Sequence, residues 1–197
     1  MPIALVLNAP ELDTEVKEDA IIAADGGYRH VEGKNVIAVI GDLDTLKRIP
    51  ENVKLIRYPV EKNATDGELA IEYAAAEGVT ELNIYGGLGG KPEHVAGNLN
   101  LLAFAFGKGI RAKLVTRDYT VYYATGTFRV RAGEGAVVSV FAHGGEALVD
   151  RSEGLYYPLE DLTLTPSSSR GISNVATADE IAFEVKRGAV LVFVRRA

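Results

Sequence analysis

In the stretch VIAVIGDLDT, Val36 to Thr45, an apolar run ends in glycine and then in two carboxylates two residues apart. Residues i and i+2 of an extended segment point the same way, so Asp42 and Asp44 can converge. Asp25 in AADGG, Asp66 in KNATDGE and Glu93 in GGLGGKPEH add further acids after short apolar runs or a glycine loop. Carboxylates gathered at one place repel one another unless a cation sits among them. Mg²⁺ suits such a site, because it takes oxygen ligands and is typically shared between one or two carboxylates and substrate phosphates. Gly86, Gly87, Gly89 and Gly90 let backbone N–H groups approach an anion, and the helix that follows points its positive end at the same place. Lys62 and Lys91 flank the acids and can neutralise phosphate oxygens. Acids, metal, lysines and a glycine cradle together describe phosphoryl-group transfer, in which the protein positions groups and neutralises charge.

Each feature also has a simpler explanation. Asp25-Gly26 reads as a turn, and Asp44 as the cap of a helix beginning at TLKRI. Asp66 meets the positive end of a helix, GGLGG reads as a flexible turn, and His94 as a solvent-facing histidine. What joins them is position in the fold. Residues 1 to about 117 alternate short apolar runs with helix-like segments: IALVL (3–7), AIIAAD (20–25), NVIAVIGD (35–42), VKLIRYP (53–59), ELNIYGG (81–87) and RAKLVT (111–116). Most runs are continuous, as in strands covered on both faces. TDGELAIEYAAAEG reads as a helix, with Thr65 and Glu68 as a capping box and Gly78 as its stop. EHVAGNLNLLAFAFG reads as a second helix ending at Gly107. The pattern predicts an α/β fold with a doubly wound parallel sheet, where ligands bind beyond the carboxyl ends of the strands. All of the features above fall at that edge.

After Asp118 the helical signal stops. TVYYATGTFRV, GAVVSVFA and EIAFEVKRGAVLVFV read as strands with recurrent glycine turns, which predicts a small C-terminal antiparallel β-sandwich or barrel. The expected domains are 1–117 and 118–197. A length of 197 residues is enough for two small domains. The net charge is −6, and no Lys/Arg run resembles a nucleic-acid patch, so an acidic protein that binds polyphosphate needs a metal ion. The absence of cysteine excludes disulfides and thiolate metal sites and suits a reducing cytosol. No apolar run reaches the ~18 residues of a membrane span, and the N-terminus lacks a basic leader. The chain reads as cytoplasmic, with neither a nucleic-acid nor a membrane partner.

ADGG, GDLDT, EKNATD and GGLGGKPEHVAGNLNLL occur in the order and approximate spacing of the thiamine pyrophosphokinase family. The segment from Gly154 to Val194 resembles that family's C-terminal β-domain, including a Gly-x-Ser-Asn element at Gly171 to Asn174. The resemblance implies an ATP- and magnesium-binding catalytic α/β domain, a β-sandwich for thiamine binding and dimerisation, and a homodimer. In the family, thiamine lies between the α/β domain of one subunit and the β-domain of the other. The implied reaction passes a pyrophosphoryl group from ATP to the hydroxyl of thiamine, giving thiamine diphosphate and AMP. Asp25, Asp42, Asp44 and Asp66 carry over to the metal and polyphosphate site, with Asp42, Asp44 and Asp66 as the catalytic acids. Gly26, Lys62, Thr65, Gly87, Gly90, Lys91, His94 and Asn98 carry over, with Asp25, to ATP. Arg170, Ser173 and Asn174 carry over to thiamine. The family favours Asp-x-Asp-Ser, Lys-Asp before Thr-Asp, and Arg-x-Asp-His; here Thr45, Asn63, Lys91 and Glu93 stand at those places. Lysine loses the bidentate fork of arginine, and glutamate reaches one methylene further than aspartate. A pyrophosphokinase acting on another hydroxymethyl heterocycle, such as a pterin, and a non-catalytic nucleotide- or thiamine-binding protein are the alternatives.

Overall fold

A computed structural model of the chain describes residues 1–44 and 53–196. Thr45 and the helix foreseen at TLKRI lie outside the described residues. The chain divides into two units, Met1–Arg117 and Asp118–Ala197.

In the first unit, β1 (Ile3–Val6), β2 (Ile21–Ala24), β3 (Val36–Gly41), β4 (Lys54–Arg57), β5 (Glu81–Tyr85) and β6 (Arg111–Val115) pair in parallel. Their order is β6-β5-β1-β2-β3-β4. The chain builds outward from β1 to β4, returns through α1 (Asp66–Ala76) to β5, and continues through α2 (Pro92–Gly107) to β6. The order therefore reverses between β1 and β5, which makes the sheet doubly wound. Leu5, Ile22 and Ile40 are fully buried, as continuous apolar runs require of strands covered on both faces. Alternation sends Ala4, Val6, Ile21, Ala23 and Val39 to one face, where Val16, Val31 and the partly buried Leu12 and Tyr28 cover them. α1 packs on β2 and β3, and α2 on β6. Their buried sides carry Leu69, Ile71 and Ala74, and Leu101, Leu102 and Ala105. Each leucine or isoleucine so buried contributes about 1.5–3 kcal/mol. Among the described residues no helix is long and apolar enough to cross a membrane.

The second unit is antiparallel throughout: β7 (Tyr119–Arg131), β8 (Val137–Ala142), β9 (Ala147–Glu153), β10 (Leu162–Leu164), β11 (Asn174–Val175) and β12 (Glu180–Arg195). β12 pairs with β7 along its length, with a register shift between Val185 and Val190. Before the shift its other edge takes β9, and after it β8. Two sheets thus share the β7–β12 pair around one core that includes Val138, Val140, Val149, Phe183, Val190 and Val192.

At the irregular stretch of β12, Lys186 forms an ion pair with Asp150, which is 8% exposed and also accepts the Asp161 N–H at 3.4 Å. The Lys186 hydrogen bond, foremost, holds the Asp150 carboxyl below its usual range. A depressed carboxylate stabilises the fold above its unfolded value, and that contribution is lost as pH falls through the folded value. Stability is thus expected to drop below about pH 4, and Asp150→Asn should flatten this limb in urea titrations repeated across pH.

Candidate active site

The acids reach one place because parallel strands deliver them there. Ala24, the last residue of β2, pairs with Ile40 of β3, and Gly41 pairs with Arg57 of β4. Asp25 and Asp42 therefore leave neighbouring strands at the same edge. Asp25 opens a 3-10 turn, Asp25–His30, with φ 44°, and is 5% exposed. One carboxylate oxygen each from Asp25, Asp42 and Asp44 lies within 4.8 Å of the others. Convergence of Asp42 and Asp44 comes from a turn, and in this the structure differs from the extended geometry expected. Leu43 is left-handed, φ 63°, and the Asp44 N–H donates to Asp42 Oδ1 at 3.1 Å.

Asp66 joins from the start of α1. Gly41 makes this possible: a Cβ there would lie 2.8 Å from Asp25 Cβ and 3.1 Å from Asp66 Oδ1. Lys62 donates to Asp66 Oδ1 at 2.8 Å and lies 3.9 Å from Asp42 Oδ2. The carboxyl of Asp44 is pushed above its usual range, by the charge of Asp42 first and by Asp25 and Asp66 after it. Lys62 is pushed up by its hydrogen bond to Asp66. Crowded hard-oxygen donors, one of which holds its proton more tightly for want of positive charge, are a fitting environment for Mg²⁺.

Asp66 and Lys62 also line a cleft of about 850 Å³, together with Thr65, Gly86, Gly89, Gly90, Lys91, Glu93, His94 and Asn98. Asn98 donates to the Gly87 carbonyl at 3.1 Å and so ties the glycine loop to α2. Lys91 caps α2, and exposed His94 sits on its first turn. Glu93 faces this cleft and is outside the aspartate group. Gly26 is buried within the 3-10 turn. Thr65 does accept the Glu68 N–H, at 3.2 Å, while Glu68 accepts the Thr65 N–H at 2.7 Å. Thr65→Ala should cost about 1 kcal/mol, read as a fall in Tm of about 2–4 °C.

In the second unit, Arg170 and Ser173 are exposed, and Ser173 is left-handed, φ 59°. Its N–H donates to Ser139 Oγ at 3.1 Å. Asn174 is 4% exposed, and its carboxamide is engaged inside the unit. Nδ2 donates to the Tyr157 carbonyl at 2.7 Å, and Oδ1 accepts the N–H groups of Tyr157 and Val175, both at 2.9 Å. The loop so held presents Tyr156 and Tyr157, 65% and 63% exposed, with rings edge to face at 4.9 Å.

The family model described as "Thiamin pyrophosphokinase, catalytic domain" matches residues 14–114, and "Thiamin pyrophosphokinase, vitamin B1 binding domain" matches 127–190. The chain belongs to the thiamin pyrophosphokinase family. It is 25% identical over 188 residues to the thiamine pyrophosphokinase of Bacillus subtilis (strain 168), covering 91% of this chain and 85% of that protein. The crystal structure of thiamine pyrophosphokinase from B. subtilis is similar with a TM-score of 0.86 at 20% identity, over 100% of this chain and 99% of that one. That of a thiamin pyrophosphokinase family protein from Enterococcus faecalis has a TM-score of 0.85 at 22% identity, covering 100% of each chain. The α/β unit followed by antiparallel strands is the fold of these family structures.

Arg29 and Arg57, beside the cleft and the aspartates, were not foreseen from the sequence. Arg29 lines the cleft and donates to the Ala9 carbonyl, which His30 Nε2 also meets at 2.8 Å. Arg57 Nε donates to the Asp42 carbonyl at 3.3 Å. A basic pair four residues after Asp25, in ADGGYRH, was the available signal for Arg29. Arg57 gave none, because its contact with Asp42 is distant in sequence.

Proposed function

We propose that the chain transfers the pyrophosphoryl group of ATP to the hydroxyl of thiamine, giving thiamine diphosphate and AMP, and that it works as a homodimer. The observation that carries this reading is the convergence of Asp25, Asp42 and Asp44 within 4.8 Å beside a cleft walled by glycines and lysines. Asp25, Asp42 and Asp44 would hold Mg²⁺, with Asp66 beside them; the metal supplies charge neutralisation on the phosphate oxygens. Lys62, Lys91 and the backbone N–H groups of the glycine loop take the remaining phosphate charge, and His94 and Asn98 line the same cleft. The thiamine oxygen bonds to the β-phosphorus, the bond from that phosphorus to the α,β-bridging oxygen breaks, and AMP departs. Asp66 or Asp44 orients the hydroxyl and accepts its proton.

For the acceptor, the exposed Ser173 and the two tyrosine rings support a flat, cationic heterocycle, with Arg170 a neighbour in the loop of Ser173. Asn174 serves by holding the Tyr157 backbone. Ser173→Ala should raise the KM for thiamine by about tenfold, the worth of one hydrogen bond, with the KM for ATP nearly constant. Chromatographic product analysis with thiamine and hydroxymethylpterin as competing acceptors tests the reading. AMP formation dependent on thiamine supports it. Preference for the pterin, or binding without AMP, refutes it. Sedimentation equilibrium tests the homodimer.

A further inference from the structure

Lys62 stands among the acids and in the wall of the cleft at once. Its side chain is 14% exposed, and its ammonium bridges Asp66 Oδ1 and Asp42 Oδ2. It also lines the cleft that holds the glycine loop and Lys91. A lysine carries a compact charge on a flexible four-carbon stem, so its ammonium can move while the backbone stays. One ammonium cannot neutralise four aspartates. A dication bound by Asp25, Asp42 and Asp44 would share Asp42 with Lys62 and would repel it.

We propose that Lys62 is an exchangeable counter-ion. In the metal-free protein it neutralises Asp42 and Asp66. When a divalent cation occupies the acids, the ammonium is released from Asp42 toward the cleft, where it pairs with phosphate oxygens of a nucleotide. Metal entry thereby prepares the cleft for the polyphosphate, and the acids are never left without positive charge. The nucleotide half of this inference rests on the pyrophosphokinase reading; the metal half does not.

The test is titration of the nucleotide-free protein with Mn²⁺, following free Mn²⁺ by electron paramagnetic resonance. Removing the competing cation in K62M should tighten Mn²⁺ binding by about tenfold, while K91M, in the same cleft but without an ion pair to these acids, changes it by about twofold or less. Without metal, K62M should unfold at a lower temperature than wild type, and Mn²⁺ should close the gap. At saturating Mn²⁺, K62M should bind a non-hydrolysable ATP analogue about tenfold more weakly. If K62M fails to fold without metal, K62Q, which keeps a donor for Asp66, takes the same measurements. Mn²⁺ affinity that is unchanged or weaker in the Lys62 variant overturns the proposal, as does equal tightening in K91M. Tighter metal with unchanged nucleotide affinity overturns the release into the cleft. A protein that forms no thiamine diphosphate still answers the metal titration, so the two readings fail separately.

Discussion

Asp42→Asn should lower kcat for thiamine diphosphate formation by about a thousandfold, roughly 4 kcal/mol of transition-state stabilisation. The substitution isolates charge from shape. Asn retains an Oδ1 to accept the Asp44 N–H, so the turn at left-handed Leu43 has its hydrogen bond. What it removes is one anionic oxygen of the aspartate group and the leading cause of the raised Asp44 carboxyl. Stability should therefore stay level or rise slightly, since like charges have been separated. Steady-state kinetics at saturating Mg²⁺, with Tm beside them, give the answer. Near wild-type turnover would show that Asp42 is a loop residue, and a large fall in Tm would show a structural one.

Asn174→Ala should destabilise the protein by about 3 kcal/mol, because it removes three hydrogen bonds of the buried carboxamide, each worth about 1 kcal/mol. The two groups of Tyr157 and the N–H of Val175 have the carboxamide as their partner. Urea unfolding reads the loss. Asn174→Asp, which keeps the acceptor and loses the donor to the Tyr157 carbonyl, should lie between wild type and alanine. The KM for thiamine should rise with the alanine variant, as the Tyr156–Tyr157 loop loses its anchor, and the KM for ATP should not. A stable Asn174→Ala protein with a raised thiamine KM would instead mean that the carboxamide meets the acceptor directly.

Much of the first unit could be read in the sequence because its strands are buried on both faces. IALV, IIAA and VIAVIG carry no polar interruptions, and Asp25 and Gly41 mark where the second and third of them end. Thr65 and Glu68 named the start of α1 by a local rule, and the structure has both hydrogen bonds. The acids followed from those strand ends. Local pattern could not supply the turn at Leu43, since a left-handed leucine is stabilised by its surroundings and not by preference. Nor could it reveal that Gly41 is the space in which Asp25 and Asp66 meet, or that Lys62 bridges two of the acids. In the second unit, alternation in EIAFEV marked a strand. The shift between Val185 and Val190, which lets β12 serve two sheets, depends on β8 and β9 and left no local sign. The residues alone showed the polarity of Asn174 and not its partner at Tyr157; its thiamine role was implied by the family resemblance.

Transfer of an intact pyrophosphoryl group in one step is the claim on which the account turns, and the fate of the β-phosphorus decides it. Enzyme, Mg²⁺, thiamine and ATP labelled with ³²P at the β position should yield label in thiamine diphosphate, with unlabelled AMP in equal amount. Labelled ADP formed together with thiamine monophosphate, or label that never reaches thiamine, would contradict it.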